Sequence, residues 1–173
     1  MAVTGSIQLA NNLVHTESLD LSTPREVFSN TTFKITSGTG DDQMDQIWHD
    51  SRSIGTTKES INLQGDGSGD VDPVDAFGTT LDFAEVRFFY VRNNHASNTL
   101  LIGGDMDAGG AGDDWNSWLG ADQQWVKLPP DSMMCIYVGN DGAYSVSAGN
   151  DMLYVKGSGA STTYDIYIGG VSA

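Results

Sequence analysis

Leu81-Asp82-Phe83-Ala84-Glu85-Val86-Arg87-Phe88-Phe89-Tyr90-Val91 is the longest β-forming run in the chain, and its reading decides the fold class. Phe83, Phe89 and Val91 alternate onto one side, with Val86, Phe88 and Tyr90 on the other. An apolar load on both sides predicts a central strand buried on two faces, or one covered by a partner subunit. Working outward, shorter runs of the same kind follow at Thr99 to Ile102, Trp125 to Leu128, Ser132 to Val138, Tyr144 to Val146, Met152 to Val155 and Tyr164 to Ile168. Turns rich in Gly, Asp and Asn separate them, among them Gly139-Asn140-Asp141-Gly142, Gly149-Asn150-Asp151 and Gly157-Ser158-Gly159. Short strands punctuated this way predict an all-β chain, an antiparallel β-sandwich of jelly-roll-like form with long acidic, Gly-rich loops.

Upstream the pattern loosens. Residues 1–24 read as an extended N-terminal arm or first strand, with Ile7, Leu9, Leu13, Val14, Leu19 and Leu21 scattered among Asn, Thr and Ser. Residues 25–173 read as a single sandwich domain, with Val27 to Ile35 its first strand. Asp41 to Met44 is compatible with the opening of a short helix, since acids favour a helix N-terminus. Gln46 to Ile54 reads better as a strand, because Ser51 to Ser53 and Gly55 do not extend a helix. Ile47, His49 and Ser51 would share one face, and Ser60 to Leu63 would be the hairpin partner.

The 173 residues suit one domain with a proper core. The balance of 23 acids against 8 Lys and Arg gives a formal charge of -15. Duplex binding requires clustered cations to neutralise phosphates, so a nucleic-acid partner is excluded. An anionic membrane surface is excluded for the same reason, and no apolar run is long enough to cross a bilayer. The first residues, Met1-Ala2-Val3-Thr4-Gly5-Ser6, show no basic region followed by a hydrophobic one, so no signal peptide is expected. Cys135 has no second cysteine to pair with. Inside Met133-Met134-Cys135-Ile136-Tyr137 it reads as an inert core thiol.

The motifs that carry chemistry are near-misses. Asp66-Gly67-Ser68-Gly69-Asp70 begins like a calcium loop, but Val71 stands where the sharp turn needs Gly and Phe77 where the bidentate Glu belongs. Asp105-Met106-Asp107-Ala108-Gly109-Gly110, followed by Asp113, Asp114 and Asn116, also lacks a closing Glu. Both read as solvated turns. His15, His49 and His95 stand in no nucleophile elbow, phosphate loop or zinc motif. The expectation is a non-enzymatic protein with no catalytic, cofactor or metal residues. Trp115, Trp118 and Trp125 form the other conspicuous group. Aromatic residues in a polar loop either plug the open end of a sandwich or anchor a contact with protein or sugar.

Gln46-Ile47-Trp48-His49-Asp50-Ser51-Arg52, Ile61-Asn62-Leu63, and Asp75-Ala76-Phe77-Gly78 leading into Leu81-Asp82-Phe83 are sandwich and turn sequences. With Gly142-Ala143-Tyr144-Ser145-Val146 and Tyr164-Asp165-Ile166-Tyr167-Ile168, they resemble small virion structural proteins of tailed bacteriophages. The resemblance covers most of the chain from about residue 40 onward and transfers no functional residue. It implies a capsid decoration, or cement, protein that is made in the host cytoplasm and sits on the capsid surface. The implied partner is the major capsid protein, and a homo-oligomer is expected, a trimer first. The candidate interface is Ile7, Leu9, Leu13, Leu19 and Leu21 on the arm, with Trp115 and Trp118 on the loop. The rivals are a tail or fibre receptor-binding module that uses the Trp115 and Trp118 loop, and a calcium-dependent carbohydrate-binding domain. The loop from Asp105 to Trp118 is longer and more acidic than is usual in the phage group.

Overall fold

Every regular element among the described residues is a strand. The computed structural model describes residues 5–9, 14–16, 25–27, 31–107, 113–139 and 144–173. Strands β1 (Gly5–Leu9), β2 (Val14–Thr16), β3 (Arg25–Val27), β4 (Thr31–Ser37) and β5 (Gln43–Met44) come first. Then follow β6 (Gln46–Ile54), β7 (Glu59–Asn62), β8 (Phe83–Asn93), β9 (Leu100–Gly103) and β10 (Trp125–Leu128). The chain closes with β11 (Met133–Tyr137), β12 (Tyr144–Ser145), β13 (Met152–Gly157) and β14 (Thr162–Ser172).

The sandwich has two antiparallel sheets. One runs β11-β8-β14-β6, with β12 pairing a further stretch of β8, and the other runs β10-β9-β13-β7. Between them lies the core, built from Trp48, Phe83, Phe89, Val91, Ile166 and Ile168 on one side. Ile61, Leu100, Ile102, Leu153 and Val155 come from the other. The all-β antiparallel sandwich is the fold that the strand-and-turn spacing predicts.

β6 occupies the residues expected of it, with Trp48 and Ile54 turned inward and Ile47, His49 and Ser51 outward. Its partner differs from expectation. β6 pairs with β14, from Ile54 against Thr162 to Gln46 against Gly170, whereas β7 crosses to the other sheet and pairs with β13. Ion pairing holds the crossing in place. Arg52 Nε and Nη2 donate to the two carboxylate oxygens of Glu59, at 3.0 and 2.7 Å, and Nη1 donates to Asp50. Tyr164 Oη donates to Glu59 from beneath. A two-oxygen guanidinium pair fixes direction as well as distance, and here it ties one sheet to the next.

The two-sided apolar pattern of β8 has a local cause. Its pairing with β14 shifts register at two places, so that Arg87 and Ala84 have no opposite residue. A bulge inserts one residue and reverses the alternation beyond it. Phe83, Val86, Phe89 and Val91 therefore all reach the core. Phe88 and Tyr90 lie half-buried on the outer face, so β8 is not buried on both sides in this chain. Gly170 makes the first bulge possible, since a Cβ there would stand 2.0 Å from the Glu85 carbonyl oxygen.

Arg87 itself is almost completely buried. Its guanidinium pairs with Glu85 and donates to the carbonyls of Thr39, Gly40 and Gln43. That clamp fastens the turn between β4 and β5 to the sandwich, as does Tyr137 Oη donating to Asp42 at 2.9 Å. Residues 41–42 form a turn, and Gln43–Met44 pairs in parallel with Thr36 and Ser37, so no helix opens there. β1 pairs with β4 and β2 with β3, so backbone pairing crosses the boundary that sequence composition sets after residue 24.

Cys135 corrects a sequence expectation. It is exposed on the outer face, opposite Tyr90, rather than in the core. β11 is an edge strand whose Met134 and Ile136 pack on the core, so the alternate residues Met133 and Cys135 point outward. Neighbouring side chains still desolvate the thiol enough to push it above its ordinary value.

Candidate functional site

The residues singled out in the sequence do not come together. Ile7 and Leu9 lie on β1, opposite Phe33 and Thr31. Their side chains, and the whole of Leu13, Leu19 and Leu21, lie outside the described residues. Trp115 is fully buried and belongs to the core. Its ring meets Phe89 edge-on at 5.8 Å and lies 5.8 Å from Trp118, while Nε1 donates to the Ser145 carbonyl. Trp118 is half-buried against the core, 5.2 Å from Phe89, and its Nε1 donates to the Trp115 carbonyl. Trp115 therefore offers no surface to a partner, which corrects its reading as an interface residue, and Trp118 packs against the same core. Trp125, at 47% exposure, is the accessible member of the group.

The aspartate loops are consumed by their own turns. The Ser68 hydroxyl first, then the Ser68 backbone amide and Asn62 Nδ2, hold the Asp66 carboxyl below the usual range. Asp70 is held low by the Ser60 amide and hydroxyl, and Asp75 by the amides of Thr79 and Phe77. Asp105 is buried, which by itself would raise its carboxyl, yet the Lys58 ammonium beside it brings it below the usual value. Asp114 accepts from the amides of Asp105 and Gln123. Among the described residues no group of three or more His, Cys, Asp or Glu is placed to hold a metal ion. Asp151 is the exception to the lowering trend: burial, then the Asp66 and Asp113 charges, push its carboxyl up. His95 Nδ1 accepts the amides of Ser97 and Asn98 and so organises a local turn.

What the fold does assemble is an aromatic row on the outer face of the β11-β8-β14-β6 sheet. Register places His49, Tyr167, Tyr90 and Cys135 side by side across four strands. His49 stacks on Tyr167 with ring centroids 4.3 Å apart, and Tyr90 meets Tyr167 edge-on at 5.5 Å. Two residues along, Ser51, Asp165, Arg92 and Met133 form a parallel row. Ser51 Oγ and Asn94 Nδ2 each donate to a separate oxygen of Asp165 at 2.7 Å, and these bonds keep the carboxylate ionised well below the usual pH. Two hollows flank Tyr167. One of about 350 Å³ is lined by Phe88, Tyr90, Arg92, Asp165 and Tyr167. The other, about 520 Å³, lies between Ile47 to Asp50 of β6 and the Val74 to Ala76 loop. None of these residues was assigned a role from sequence. The available signal was period-2 alternation: in three strands paired in register, the outward aromatics fall on a single line.

No protein-family model matches this chain, and no curated protein is significantly similar to it.

Proposed function

We propose that this chain is a virion structural protein of a tailed bacteriophage, a decoration protein that binds the assembled head and bridges major capsid subunits. The phage assignment rests on the sequence resemblance. The observation that carries the assembly role is the order of strands in the two sheets. Numbering the eight long sandwich strands from β6 to β14, without β12, one sheet reads 6-3-8-1 and the other 5-4-7-2. We read that order as the connectivity of a jelly roll, an architecture recurrent in viral capsid and lectin domains. The inference from connectivity to role is one of fold-level analogy. The use of loop carboxylates as turn staples supports the same reading, since groups committed to backbone amides are poor general acids or bases. On this reading the protein is a non-enzymatic homo-oligomer, a trimer first, located on the capsid surface.

Heating isolated particles with and without the protein tests this. Particles lacking it should rupture at a lower temperature, and added protein should restore the wild-type value and cosediment with the heads. Equal rupture temperatures would remove the stabilising role, and failure to cosediment would remove the head as its partner.

A further inference from the structure

We infer that the aromatic row on the outer face of the β11-β8-β14-β6 sheet is a binding site for a neutral oligosaccharide. This goes beyond the assembly role and does not depend on it. A pyranose ring is amphipathic: its C–H face packs on an aromatic ring, while its hydroxyls need donors and acceptors at the ring edge. The sheet presents that combination as two neighbouring rows. The aromatic row supplies Tyr167, stacked on one face by His49, with Tyr90 edge-on beside it, and the next row supplies Ser51, Asp165 and Arg92.

Hydrogen-bonding capacity is left over. An ionised carboxylate has about four lone-pair sites, and Ser51 and Asn94 take one on each oxygen of Asp165. The remaining sites can accept sugar hydroxyls, with exposed Arg92 across the strand as donor. Asp165 is thus already oriented before a ligand arrives, which lowers the ordering cost of binding. The hollows of about 350 and 520 Å³ that meet at Tyr167 fall in the size range of small-molecule sites. Because both border the same ring, the site would take consecutive sugar units on either side of Tyr167.

Other occupants fit less well. β14 and β8 are each paired on both sides, so their backbone groups are not open to a peptide added as a strand. A chain carrying -15 repels an anionic glycan. A neutral saccharide meets neither obstacle.

The full-length protein would be titrated calorimetrically with cellohexaose, chitohexaose and a galactose oligomer, with polygalacturonate as the anionic control. At least one neutral oligomer should bind and polygalacturonate should not. Tyr167→Ala and Tyr90→Ala should each weaken binding by roughly tenfold, and Tyr167→Phe by less than about threefold. Asp165→Asn should weaken it severalfold, with thermal midpoints checking that each variant is folded. Absence of binding to all three neutral oligomers at millimolar concentration would overturn the proposal. So would binding that survives both alanine substitutions. If the alanine variants instead lose only cosedimentation with heads, the face is a protein interface and the saccharide assignment fails, while the assembly role stands.

Discussion

Two aromatic groups in this protein are built from similar residues and do opposite things. Phe89, Trp115 and Trp118 meet inside the sandwich at centroid distances of 5.2 to 5.8 Å. His49, Tyr167 and Tyr90 meet on its outer face at 4.3 and 5.5 Å. The spacings are comparable, so ring contact alone does not separate them. Burial does. Trp115 is shut off from solvent and its one polar atom is bonded to a carbonyl, as buried indoles require. Tyr167 and Tyr90 remain half-exposed, Tyr167 between two hollows and Tyr90 lining one of them. The inner group is a packing device and the outer group a surface. Sequence context left both groups open, because the tryptophans sit in a polar, Gly-rich loop that suits either a plug or a contact, and Tyr90 sits in a strand that is apolar on both sides.

The largest effect should come from the inner group. Trp115→Ala is expected to cost roughly 3–5 kcal/mol, since it removes a fully buried ring and leaves a cavity beside Phe89. Chemical denaturation measures this, and a loss below about 1 kcal/mol would break the distinction. Next comes the clamp under β8. Arg87→Met should cost about 3 kcal/mol by removing a buried ion pair with Glu85 and the donors to three carbonyls of the β4–β5 turn. Limited proteolysis near residues 39–43 should accelerate in that variant. If stability and cleavage both stay at wild-type levels, the clamp does not hold the turn. On the outer face Tyr167→Ala should cost no more than about 1 kcal/mol, the scale of one cross-strand pair. A loss as large as that of Trp115→Ala would show that the outer row is structural.

The smallest effects are those of two carboxylates, and they carry opposite signs. Asp165, on the outer face, has a lowered folded value. Its stabilising contribution is present above the unfolded carboxyl value and is lost as pH falls through the folded one. Asp165→Asn should therefore destabilise at pH 7, with the difference fading in acid. Asp151, buried near Asp66 and Asp113, has a raised value. Its contribution is full below the unfolded value and is lost as pH climbs through the folded one. Asp151→Asn should accordingly stabilise the protein slightly at pH 7 and leave it unchanged in acid. Thermal midpoints measured across pH check both, and equal signs would refute the assignment of inner and outer environments.

Much of the fold was legible along the chain, and the reasons are local. β6 and β10 fall on the residues that their apolar spacing marks, because strand formation follows β-propensity and the nearest turn residues. The partner of β6 was not legible. Nearness in sequence favours a hairpin with Ser60 to Leu63, yet the Arg52–Glu59 pair turns the chain into the opposite sheet. The phase of β8 was not legible either, since two bulges reverse its alternation and the first depends on Gly170, which lies in β14, far along the chain. Cys135 failed for a related reason: an apolar run on an edge strand buries only every second residue.

By itself, then, the sequence determined the all-β class, the positions of most strands and turns, and the acidic surface. Each of these depends on a residue and its immediate neighbours. Only the tertiary structure decided which strands pair, which aromatics are core and which are surface, and which aspartates are spent on their own turns. Those outcomes depend on register, and register is set by contacts between residues far apart in the chain.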